Sequence, residues 1–134
     1  ECRIVHVARN PAATCWANFR QYYLGSNLGF SYSLEDLVRY YSRYCRLMEF
    51  WQAEMGGLIY SVNYERLTEN PEMETRALIR YLGLDWEDAC LSPQDNNRRV
   101  ATASNVQIRQ GIYTGSSEKW KHYKPYLNGA FEHL

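Results

Sequence analysis

The chain has 134 residues, the length of one domain able to bury a continuous core, and its 46% hydrophobic and 22% charged residues are globular values that exclude a disordered chain. Fifteen Lys plus Arg balance fifteen Asp plus Glu, so no global field holds the chain to nucleic acid or to an anionic membrane, and any anion site must be local. No apolar run approaches the ~20 residues of a membrane helix, and Glu1-Cys2-Arg3 lacks the shape of a signal peptide, so the chain reads as soluble.

Along the chain, Ile4-Val5-His6-Val7-Ala8 is short, β-branched and nearly continuous, which predicts a strand buried on both faces of a parallel sheet, with His6 a core histidine. Asn10-Pro11 then starts a helix, expected to run to about Leu24: Asn accepts from the first free amides, and Pro at the first helical position gives up a donor that had no partner. Gly25-Ser26-Asn27-Leu28-Gly29 reads as a loop. Ser33 caps the next helix with Asp36 three residues on. Leu34, Leu37, Val38, Tyr41, Tyr44, Cys45, Met48 and Trp51 recur at helical spacing as one apolar face until Gly56-Gly57.

The second strand is Leu58-Ile59-Tyr60-Ser61-Val62; two strands make an incomplete sheet, which points to a missing upstream part. Asn70-Pro71 repeats the cap-and-proline device, with Glu72 and Glu74 at the positive helix end and Met73, Ala77, Leu78, Tyr81 and Leu82 facing inward before Gly83. A short helix is expected from Trp86 to Leu91, a polar irregular segment from Ser92 to Gly115, and a final helical stretch from Ser116. Cys2, Cys15, Cys45 and Cys90 lack paired short spacing and read as buried thiols of a reducing, cytoplasmic compartment; a disulfide pair is the alternative. His6, His122 and His133 share no spacing that suggests a metal.

Three places can carry chemistry. Arg9 stands where a strand ends and a helix begins, so unpaired amides, the positive dipole end and a guanidinium fork converge on a phosphate-sized anion site; the alternative is an arginine paired with a surface carboxylate. Tyr64 follows the second strand, on the side where open parallel sheets bind ligands, and can lie against a nucleobase or serve as one more core tyrosine; Glu65 reads as a first-turn carboxylate. Between Arg98 and Arg109, Ser104 and Gln107 offer neutral contacts, and Arg109 and Lys119 offer charge, to a hydrogen-bonding anion or simply to solvent.

The order Val7-Ala8-Arg9-Asn10-Pro11, Tyr64-Glu65-Arg66-Leu67-Thr68-Glu69-Asn70-Pro71, Tyr81-Leu82-Gly83-Leu84-Asp85-Trp86-Glu87, Thr102-Ala103-Ser104-Asn105-Val106-Gln107-Ile108-Arg109 and Ser116-Ser117-Glu118-Lys119-Trp120 resembles the sulfotransferase family. The resemblance is to its tyrosylprotein-sulfotransferase-like and bacterial tetratricopeptide-linked branch. It implies an α/β fold: part of a P-loop nucleotide-kinase-like parallel sheet flanked by helices, residues 1–134 forming one partial domain with the N-terminal strands and phosphate loop missing. The implied donor is 3'-phosphoadenosine 5'-phosphosulfate, with sulfuryl passing to a hydroxyl or amine acceptor and no metal required. Arg9 would hold the 3'-phosphate and Tyr64 the adenine; Ser104, Gln107 and Arg109 would line the nucleotide, Ser104 also steadying the sulfuryl group; Lys119 would support the 3'-phosphate side.

Two departures stand out. The family carries a Ser eight residues after the Arg, and here that position is Ala17, with Asn18 or Arg20 as possible substitutes. One hydrogen bond to a charged acceptor is thereby lost, worth roughly 1.5 to 3 kcal/mol. The family's phosphosulfate loop and general base lie upstream of residue 1, so the expectation is a fragment without transfer activity. A degenerate module that binds nucleotide without turnover is the second reading, supported by Ala17, and an α-helical interaction domain resting on the Leu34 to Trp51 face is the third.

Overall fold

The computed structural model describes residues 2–23, 26–96 and 111–134. Strand β1 (Ile4–Ala8) pairs in parallel with β2 (Ile59–Asn63), Ile4 opposite Ile59 and Ala8 opposite Asn63. Parallel pairing of strands this far apart in sequence requires a crossover. Helices α1 (Pro11–Arg20) and α2 (Leu34–Met55) supply it, joined through a 3-10 segment at Ser26–Tyr32. After β2 the chain turns directly into α3 (Tyr64–Glu69), then α4 (Pro71–Leu82), two 3-10 turns at Asp88–Leu91 and Pro93–Asp95, and an irregular 3-10 stretch, Ser116–Tyr126. This is an α/β arrangement, a small parallel sheet flanked by helices.

The local signals act as their chemistry dictates. Asn10 Oδ1 accepts from the Ala13 amide at 2.9 Å ahead of Pro11, and Ser33 Oγ accepts from Asp36 at 3.2 Å. Helix α4 ends at Gly83 in the left-handed region, φ +69°, where the Leu84 amide reaches back to the Ile79 carbonyl at 3.2 Å. A side chain there would also meet the Arg3 guanidinium, 3.4 Å from the Cβ position. Helix α1 stops at Arg20, short of the expected Leu24. The backbone turns extended at Gln21, φ −86° and ψ 122°, and beyond it the Tyr32 hydroxyl accepts from the Tyr23 amide at 3.2 Å and donates to the Tyr23 carbonyl at 3.0 Å.

Other expectations need correction. Strand β1 is not buried on both faces: Ile4, Val5 and Val7 are exposed, Val7 by 54%, whereas Ile59 and Val62 of β2 are buried. His6 is only half-buried, bonded to the Tyr44 hydroxyl and 3.3 Å from Ser61 Oγ. The segment read as a loop at residues 25–29 is helical in the 3-10 sense from Ser26 onward. The final helical stretch does start at Ser116 as expected; it is a 3-10 helix, and it contains Pro125, which lacks the backbone donor. Asn70 makes no side-chain cap bond, and Met73 is 56% exposed where an inward position was expected. Glu74 takes the inward place beside it, its carboxylate 2.6 Å from the Arg66 guanidinium, so pairing rather than hydropathy decided which residue of that turn turned in. The four cysteines are free thiols, but only Cys15 is buried; Cys45 and Cys90 are half-buried and Cys2 is exposed.

The core lies on the helical side. Ala12 and Cys15 of α1 and Leu37 of α2 pack with Leu127 and Phe131 of the C-terminal turns, ringed by Trp16, Phe30, Tyr41 and Trp120. Only the first half of α2 takes part; Leu47, Phe50 and Trp51 further along are exposed. Packing α1 between α2 and the C-terminal turns is what holds the end of β1 and the start of α1 in place.

Candidate functional site

Backbone geometry places the site. At the C-terminal end of the two strands the chain leaves β1 at Arg9 and β2 at Tyr64, side by side because Ala8 pairs with Asn63. The residues that cap the following helices are Asn10 and Asn63, the latter accepting from the Arg66 amide at 2.8 Å. The third contributor is the turn at Gly115, φ +81°, a conformation an unbranched backbone adopts readily, which delivers Ser116 and Ser117 to the same spot.

Arg9 is the centre of this meeting. Its Nε donates to Ser117 Oγ at 3.1 Å, its Nη2 to Ser116 Oγ at 3.4 Å, and its guanidinium lies 4.8 Å from the centroid of the Tyr64 ring. The Tyr64 hydroxyl is in turn 3.0 Å from Ser116 Oγ. Ser117, 4% exposed, donates to Glu65 Oε1, and the same oxygen accepts from the Asn10 amide at 3.1 Å. Burial alone would push the Glu65 carboxyl up, but the Ser117 hydroxyl, the Asn10 amide, its own amide and the Arg9 charge outweigh it and hold it below the usual value.

This corrects one expectation and supports the chemistry behind another. The start of α1 offers fewer amides to an outside anion than expected: Asn10 caps Ala13, Pro11 has no donor, and Glu65 already accepts from Asn10, which leaves the Ala12 amide. The charge available to an external anion here is the guanidinium's. A fixed guanidinium beside two hydroxyls and an aromatic face suits a phosphate oxygen and a flat base. Arg9 borders two clefts, one of about 400 Å³ toward α1 and α2 and one of about 350 Å³ toward Asn63 and Glu118, and among the described residues neither has a lysine or histidine in its wall.

The larger cleft is aromatic. Tyr40 and Phe30 stack with centroids 4.1 Å apart and planes 7° from parallel, and Tyr41, Tyr44, Ala17 and Asn18 complete much of the wall. Burial, then the neighbouring Cys45 and Tyr44, push the Tyr41 phenol up to about 12, so it stays a neutral donor at physiological pH. Ala17 contributes only a methyl. The Asn18 side chain is engaged, its amide donating to the Thr14 carbonyl at 2.9 Å and its oxygen accepting from the Tyr23 hydroxyl at 2.8 Å.

Of the residues singled out in the sequence, Arg9 and Tyr64 come together. Lys119 lies on the exposed side of the Ser116–Tyr126 stretch, its ammonium 5.1 Å from the Tyr113 ring centroid, and borders neither cleft. Ser104, Gln107 and Arg109 lie outside the described residues. Ser116, Ser117 and the bonding role of Glu65 were missed; the signal was the Ser-Ser pair after Gly115, which reads equally well as an ordinary helix start. Among the described residues no three His, Cys, Asp or Glu side chains cluster as a metal site would, and no helix is long and apolar enough to cross a membrane.

Comparison with known proteins gives two matches. The model of a family described as the sulfotransferase family matches residues 1–88, a span that contains Arg9, Asn10, Tyr64 and Glu65. An uncharacterized protein of Aquifex aeolicus (strain VF5) is 35% identical over 134 residues, which takes in 98% of this chain and 18% of that protein. The chain thus spans less than a fifth of the length of this relative.

Proposed function

Since the chain belongs to the sulfotransferase family, we propose that its described residues form the 3'-phosphate and adenine side of a site for 3'-phosphoadenosine 5'-phosphosulfate. Bound there, that donor would supply a sulfuryl group for transfer to a hydroxyl or amine acceptor. The fold proposed is part of a P-loop nucleotide-kinase-like sheet, of the tyrosylprotein-sulfotransferase-like branch, with residues 1–134 as one portion of a larger domain in a reducing, cytoplasmic setting.

The observation that carries this reading is the Arg9 guanidinium, held over Tyr64 and against Ser116 and Ser117 at the strand ends. In the proposal Arg9 binds the 3'-phosphate and Tyr64 meets the adenine; Ser104, Gln107 and Arg109 line the nucleotide, Ser104 also steadying the sulfuryl group, and Lys119 adds charge on the 3'-phosphate side. What these residues do is orient and neutralise, which is the larger part of the work in transfers that pass charge onto a phosphate.

Calorimetric titration with adenosine 3',5'-bisphosphate tests the reading. Arg9→Ala is expected to weaken binding at least tenfold, the consequence of losing about 1.5 to 3 kcal/mol of charged hydrogen bonding. Equal affinity in the variant and the parent would overturn it. Ala17 favours one second reading, a nucleotide-binding module without turnover, because a methyl stands in the wall beside Arg9 where a hydroxyl would add a bond to the phosphate.

A further inference from the structure

We infer that Glu65 is a positioning residue for Arg9, acting through the Ser117 hydroxyl. The inference rests on the reading of Arg9 as the group that holds the phosphate.

The argument is one of proton placement. A serine hydroxyl has a single proton and two lone pairs, whereas an ionised carboxylate can only accept. Ser117 Oγ lies within hydrogen-bond reach of both Glu65 Oε1 and Arg9 Nε, and Arg9 Nε can only donate. The hydroxyl proton must therefore point to Glu65, and the lone pairs of Ser117 are turned to Arg9. Glu65 is itself anchored by the Asn10 amide at 3.1 Å, so one carboxylate oxygen ties together the start of α1, the start of α3 and the Ser116-Ser117 turn. Ser117 is 4% exposed, which keeps water from replacing either partner. The guanidinium is thereby held by its Nε edge, with Nη2 against Ser116, and laid over Tyr64, leaving Nη1 and the second Nη2 proton for an oxyanion.

Simple electrostatics makes the opposite forecast. A carboxylate close to an anion site repels the anion, so removing it should tighten binding. If Glu65 acts through Ser117, removing it loosens Arg9 and weakens binding instead. The sign of the effect separates the two accounts.

The experiment uses the longest form of the protein containing these residues, with Glu65→Ala, Ser117→Ala and the double variant, and adenosine 3',5'-bisphosphate as the probe. Each single variant is expected to bind about tenfold more weakly, and the double variant no more than about twofold below either single one, because both cut the same connection. Ser117→Ala keeps the charge and serves where Glu65→Ala does not fold. Tighter binding in Glu65→Ala, or unchanged affinity in Ser117→Ala, would overturn the inference. The Arg9 Nε–H resonance gives a readout that needs no ligand: a slowly exchanging signal in the parent, averaged away in both variants. Should the parent fail to bind the bisphosphate, the phosphate reading of Arg9 fails, and persistence or loss of this resonance still decides whether Glu65 positions it.

Discussion

At Glu65, burial works against the charged form, and donors from Ser117, Asn10 and its own backbone, together with Arg9, work for it; the donors win and hold the carboxyl below its ordinary value. A depressed folded value means stabilisation that is complete above the unfolded value and is lost as pH falls through the folded one. Glu65→Gln should therefore lower the unfolding free energy at neutral pH by roughly 1 kcal/mol, the scale of hydrogen bonds to a charged group becoming neutral ones. Denaturant titrations of parent and variant are expected to converge as the pH falls through the lowered folded value and the native carboxyl becomes protonated as well. A constant difference across that range would show that the variant acts by shape and not by charge. The two residues named from sequence at this site, Arg9 and Tyr64, were visible because each follows directly from a strand. The serines that orient Arg9 lie 107 and 108 positions away, and nothing local marks them.

Elements were legible where a local cause made them. Caps at Asn10, Ser33 and Gly83 mark helix ends in the positions expected, since the bonds that make a cap span three or four residues. Helix α1 ended early, and Tyr23 beyond its end is bonded to the Tyr32 hydroxyl, a contact between segments that periodicity does not register. The apolar face of α2 was legible as a helix, but its burial falls off along the element: Leu37 is 3% exposed, Trp51 on the same face 39%, and Leu47 beside it 52%. Leu37→Ala is accordingly expected to cost about 2 to 4 kcal/mol, and Leu47→Ala less than about 0.5 kcal/mol, in urea unfolding of this chain. Similar costs at the two positions would mean that the second half of α2 is covered.

For the whole molecule, the consequence is a division of labour. Among the described residues, the clefts beside Arg9 have aromatic rings, hydroxyls and one guanidinium in their walls. This chain is expected to bind adenosine 3',5'-bisphosphate without transferring sulfuryl to any acceptor; release of the bisphosphate from 3'-phosphoadenosine 5'-phosphosulfate by this chain would contradict that. By itself the sequence determined the family, the two strands, the capped helix ends at Asn10, Ser33 and Gly83 and the pair Arg9 and Tyr64, because each of these depends on neighbours within a few positions or on the order of motifs. Only the tertiary structure decided that β1 is open on one side, that Glu74 and not Met73 turns inward, and that Glu65 rather than free helix amides faces Asn10. Those outcomes depend on which groups meet after the chain has crossed over, and burial and pairing between distant segments leave no periodic trace in a single strand or helix.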